Sequence, residues 1–98
     1  VMERLSRFVE LAQGSGVILC HENEKGIYGE KATECREIMD TFGGENFKAI
    51  FDFANFVQAD QDTWEAYELL KGDIAYIHVK DAIKGFPKNV NVAVATVR

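Results

Sequence analysis

Helical and extended patterns alternate strictly along this chain, and few folds accommodate such an order. Residues 2–13 (MERLSRFVELAQ) put Leu5, Phe8, Val9 and Ala12 on one helical face, and Gly14 and Gly16 follow as stop signals. Residues 17–21 (VILCH) form a nearly continuous apolar run, the pattern of a strand buried on both faces. Residues 30–42 are helical again, with Ala32, Cys35, Ile38, Met39 and Phe42 sharing a face and Gly43-Gly44 ending it. Residues 47–51 (FKAIF) form a second strand that ends at Asp52. Residues 63–71 form a third helix, with Asp62 as N-cap, Glu65 as its capping-box partner and Gly72 as terminator. Residues 73–79 (DIAYIHV) form a third strand. An α-β-α-β-α-β order implies right-handed crossovers and a parallel sheet, hence the α/β class.

Composition narrows the function. The apolar fraction of 47% and the single Pro belong to a folded chain. A net charge of −5 argues against nucleic-acid partners, because phosphate binding needs clustered Lys and Arg. No apolar run is long enough to span a membrane, and no signal peptide is visible. Cys20 and Cys35 lie outside any CxxC pair, so they read as reduced structural thiols of a cytoplasmic protein.

In parallel α/β folds, functional groups gather at the carboxyl ends of the strands. Each strand here delivers a metal-competent residue at that end. The first gives Glu22 within His21-Glu22-Asn23-Glu24, the second Asp52 with Asn55 beyond it, and the third His78 followed by Lys80 and Asp81. Each has a plainer reading: Asp52 as a helix N-cap, His78 as a hydrogen-bonded structural residue, Lys80 as a solvated surface charge. Their coincidence at one end of the sheet favours the joint functional reading. Two carboxylates and an imidazole make a hard donor set suited to Mn²⁺, Mg²⁺, Co²⁺ or Zn²⁺. His21 is expected to bond backbone, Glu24 to be a loop charge, Tyr28 to face a bound ligand or to pack, and Trp64 to lie in the core or at an interface.

The stretches VILCHENEKGIYGE, FDFANF and YIHVKDA resemble the xylose-isomerase-like (β/α)8 TIM barrel family of sugar-phosphate isomerases and epimerases. The resemblance runs from about Gly16 to Ala82. It implies that residues 1–98 are part of such a barrel, about three βα units truncated at both ends, since a complete barrel needs ~250 residues. Val1 without an initiator Met, inside a helical pattern, fits a partial chain.

The family pattern places Glu, Asp, His and a final Glu on successive strands. Residue by residue this makes Glu22, Asp52 and His78 metal ligands, with Mn²⁺ favoured. Glu22 is also the expected acid/base residue. Lys80, Asp81 and Asn55 are the expected substrate-contacting residues. Some members carry His where this chain has Asn55, and the departure counts against the multi-zinc apurinic endonuclease branch. The implied activity is isomerisation or epimerisation of a sugar or sugar phosphate by proton transfer through an ene-diolate. The fourth ligand is missing, so the chain alone is expected to be inactive.

Residues 89–98 (NVNVAVATVR) stand where relatives carry a Gly-rich stretch near the final Glu. One reading is a genuine alternating strand through Val90, Val92 and Val94. The other is an aberrant, frame-shifted tail: Val and Ala codons begin GT and GC, so a frame starting on each third base can spell Gly, and the nucleotide sequence decides. Two rival functions remain: a metal-dependent phosphodiesterase or dehydratase on the same barrel, or a non-catalytic half barrel that forms homo-oligomers through its open sheet edges. The scarcity of histidines near the strand ends disfavours the phosphodiesterase.

Overall fold

The computed structural model describes residues 2–80 and 82, and the backbone of residues 94–97. The elements are α1 (Met2–Ala12), β1 (Leu19–Glu22), α2 (Ala32–Phe42), β2 (Phe47–Asp52), α3 (Phe53–Gln58), α4 (Thr63–Leu70), a 3₁₀ turn at Lys71–Asp73, β3 (Ile74–Lys80) and β4 (Val94–Val97). The sheet order is β1-β2-β3-β4. The β1–β2 and β2–β3 pairs are parallel, as the alternation requires.

The core lies between β2 and the helices. Ala32, Cys35, Ile38 and Met39 of α2 meet Phe47, Ala49 and Phe51 of β2, Phe56 of α3, and Ala66 and Leu70 of α4. Phe51 is the hub. Its ring centroid stands 4.6 Å from Phe53, 5.1 Å from Phe56 and 6.1 Å from Tyr67. These apolar residues alternate along β2, so one face of the sheet is sealed by helices. The intervening residues Lys48, Ile50 and Asp52 belong to the other face, with Cys20 and Glu22 beside them in the ladder.

Three details depart from the sequence expectations and one narrows them. β1 begins at Leu19, leaving Val17 and Ile18 exposed, and is half-buried throughout rather than buried on both faces. It is an edge strand, and helices cover one face only. A short helix, α3, starts directly after Asp52, where no helix was expected. Of the two places expected for Trp64, the core is excluded: it is 68% exposed and stacks on Tyr67. β4 pairs antiparallel with β3, beside a sheet that is otherwise parallel. The expected N-cap at Asp62 is present, its carboxylate accepting the Glu65 N–H at 2.8 Å. Both cysteines are free thiols. No helix among the described residues is long and apolar enough to cross a membrane.

Candidate metal centre

Two strand ends and a ladder pair bring the predicted ligands together. Glu22 is the last residue of β1 and Asp52 the last of β2. Asp52 lies directly beside His78 in the β2–β3 ladder. That pairing depends on a bulge. Ala49 pairs with Ile74, but Ile50 pairs with Tyr76, so Ala75 is the extra residue. Without the shift Asp52 would sit beside Ile77, and His78 would belong to the helix side.

One ligand atom from each of Glu22, Asp52 and His78 lies within 4.8 Å of the other two. His78 Nδ1 hydrogen-bonds Glu22 Oε2 and stands 3.7 Å from Asp52 Oδ2. Asp52 is fully buried, and its two oxygens divide the work. Oδ1 accepts the Asn55 N–H at 2.9 Å and caps α3. Asp52 is therefore an N-cap and a candidate ligand at once. Among the described residues Oδ2 accepts no hydrogen bond. The Lys80 ammonium stands 2.7 Å from it, a charge contact without hydrogen-bond alignment, while Lys80 Nζ donates to Asn55 Oδ1 at 2.9 Å.

The electrostatics follow from this packing. Burial pushes the Glu22 carboxyl up, the His78 hydrogen bond pulls it back, and neighbouring Asp52 pushes it up again. A buried carboxylate oxygen without a hydrogen bond, next to a second carboxylate and an imidazole, is a donor set that fits a divalent cation. Its oxygen-rich character suits Mg²⁺, Mn²⁺, Co²⁺ or Zn²⁺.

The remaining sequence candidates fall as follows. Lys80 and Asn55 join the network around Asp52. Asp81 lies outside the described residues. His21 faces the helices, its ring against Gly29; burial pushes its pKa down, and a hydrogen bond to the Tyr28 backbone pulls it up. Tyr28 donates its hydroxyl to Glu37 on α2, which together with nearby charge pushes its pKa up to about 12, so the ring serves α2 and not the site. Glu24 is an exposed loop residue. Sequence reasoning missed Asn23, which is 2% exposed and clasps the Asp52 backbone. The available signal was an amide directly after a strand-end carboxylate.

A family model described as "Xylose isomerase-like TIM barrel" matches residues 1–91. The chain belongs to that family. Its match ends before β4. The crystal structure of the probable 3-DHS dehydratase AsbF, involved in petrobactin synthesis, from Bacillus anthracis, superposes with a TM-score of 0.68 at 21% identity. The alignment covers 82% of this chain and 29% of that one, so this chain spans less than a third of the similar structure. No curated protein matches. The three parallel strands are thus part of a xylose isomerase-like barrel, and Glu22, Asp52 and His78 cluster at the carboxyl ends of its strands, where barrel enzymes build their sites.

Proposed function

We propose that this chain supplies three ligands and the catalytic base of a divalent-metal-dependent isomerase or epimerase acting on a sugar or sugar phosphate. The observation that carries the reading is the convergence of Glu22, Asp52 and His78 around the unbonded Asp52 Oδ2. A divalent ion held by these three would supply Lewis-acid polarisation of the substrate's carbonyl.

The chain's own residues then have definite tasks. Glu22, on the accessible side of the cluster, takes the proton from the carbon next to the carbonyl and returns it to the same or the neighbouring carbon. In the metal-free chain the Nδ1 hydrogen bond keeps His78 and Glu22 together. Asp52 is held by the α3 cap, so its second oxygen stays directed at His78. An ammonium has three donors, and Asn55 takes one while Asp52 holds the charge. A Lys80 N–H not used by Asn55 is suited to a substrate hydroxyl or phosphate oxygen.

A second reading is a dehydratase, favoured by the structural likeness to the probable dehydratase of Bacillus anthracis. It shares the first step, proton removal next to a carbonyl, and differs in expelling a β-hydroxyl. Both are tested by incubating the Mn²⁺-loaded chain with sugars and sugar phosphates in deuterium oxide over days. Deuterium entering next to the carbonyl, and lost in Glu22→Gln, supports the isomerase or epimerase. An ultraviolet-absorbing unsaturated product supports the dehydratase. A chain that binds no Mn²⁺ refutes the reading; neither product, with Mn²⁺ bound, is the outcome expected of a chain that lacks the fourth ligand.

A further inference from the structure

We propose that Asn23 is the positioning residue that sets the separation of the two carboxylates, an inference that rests on the metal reading above. The ladder fixes Asp52 against His78 directly. It does not do the same for Glu22. The β1–β2 backbone pairing ends at Glu22 and Ile50, short of Asp52. Beyond that point the Asn23 side chain takes the place of a strand neighbour. Its Oδ1 accepts the Asp52 N–H and its Nδ2 donates to the Asp52 carbonyl, both at 2.9 Å.

An amide that holds both main-chain groups of one residue fixes that residue's position and direction together. Because Asn23 follows Glu22 in the chain, the clasp ties the Asp52 backbone to the Glu22 backbone. The Asn23 carbonyl also accepts the Asn55 Nδ2 at 2.9 Å, and Asn55 donates its backbone N–H to Asp52 Oδ1. The network is closed, and each member bears on how Asp52 sits.

The side-chain chemistry is restrictive. Only a primary amide offers a donor and an acceptor side by side in this way, and Gln would carry them one carbon too far. Asn23 is almost wholly buried, so its polar atoms are held by these partners and not by solvent. An inert filler of the same volume would seal the gap between the strands equally well. It would leave the Asp52 N–H and carbonyl unpaired and the carboxylate separation free to vary.

The test reads Mn²⁺ binding to the full chain by electron paramagnetic resonance, with the metal alone as probe and at a temperature well below each protein's melt. Asn23→Ala should weaken Mn²⁺ by roughly 10- to 100-fold, the usual effect of removing a group that orients a ligand. Leu70→Ala, a core change outside the network, should lower the melting temperature and leave Mn²⁺ affinity unchanged. Equal affinity in Asn23→Ala and wild type would overturn the proposal. So would a parallel loss in Leu70→Ala, which would make affinity a mere reporter of stability. If Asn23→Ala does not melt cooperatively, Asn23→Ser is read in its place with the same outcomes. Failure of both to fold also overturns the proposal, because the amide would then serve the fold and not the site. A wild-type chain that binds no Mn²⁺ refutes the metal reading itself.

Discussion

Replacing Lys80 by Met should destabilise the metal-free protein, and added Mn²⁺ should recover much of the loss. The ammonium sits 2.7 Å from a carboxylate oxygen that is fully buried and accepts no hydrogen bond. At an effective dielectric constant of 20, two unit charges at that separation attract by about 6 kcal/mol. Desolvation of the ammonium offsets part of this, although Lys80 keeps 17% of its side chain exposed. Removing one partner of a buried pair leaves the other charge uncompensated, at a cost of about 3–5 kcal/mol. The low end applies here, because Asp52 keeps the Asn55 N–H on Oδ1 and has the His78 ring 3.7 Å from Oδ2. Urea unfolding in EDTA should therefore show Lys80→Met about 3 kcal/mol less stable than wild type. In Mn²⁺ the gap should narrow, since a cation at Oδ2 replaces the lost charge. A difference below about 1 kcal/mol in EDTA would refute the reasoning and make Lys80 an ordinary surface pair.

Three further outcomes follow from the packing. Glu34 accepts N–H bonds from Gly29, Glu30 and Lys31, which hold its carboxyl below the usual range. Glu34→Gln, which keeps an acceptor but loses the charge, should lower stability near neutral pH. A depressed folded-state pKa gives stability that is present above the unfolded glutamate pKa of about 4.3 and lost as pH falls through the lower folded value. Urea titrations across acid pH should accordingly show the two proteins converging, and a pH-independent difference would count against these charge-assisted bonds. Gly29→Ala places a Cβ 2.5 Å from the His21 ring at a φ of +115, so a lower melting temperature is expected, and an unchanged melt would contradict the packing. Phe51→Ala removes the hub of the aromatic cluster and should cost about 3–5 kcal/mol in urea unfolding; a loss under 1 kcal/mol would mean the cluster is not the core.

Much of this arrangement was legible in the sequence. Helical and strand periodicities differ, so the alternation of elements and the parallel sheet could be read from apolar spacing alone. The clustering of the candidate ligands was legible because an apolar run ending in Glu22 or Asp52 marks a strand's carboxyl end. Other features left no such trace. The bulge at Ala75 is a matter of how β2 and β3 pair, and Ala75 has no distinguishing chemistry. Asp52 was weighed as a cap or a ligand, and α3 was missed, because a short apolar stretch such as Phe53–Gln58 carries no helical period. The exposure of Val17, Ile18 and Trp64 reflects which faces have neighbours, a tertiary fact that residue type does not encode. Asn23 was visible only as one polar residue in a polar cluster. Its weight comes from a partner 29 positions away.

The most direct test is the thermal melt of the full chain with and without Mn²⁺, run beside His78→Ala. A ligand that binds only the folded state stabilises it, by about 2.7 kcal/mol at a hundredfold excess over its dissociation constant. For a chain of this size that is a rise of roughly 10 °C or more. A site built on Glu22, Asp52 and His78 gives such a rise in the wild type and loses it in His78→Ala. A cooperative wild-type melt indifferent to Mn²⁺, Mg²⁺, Co²⁺ and Zn²⁺ would contradict it.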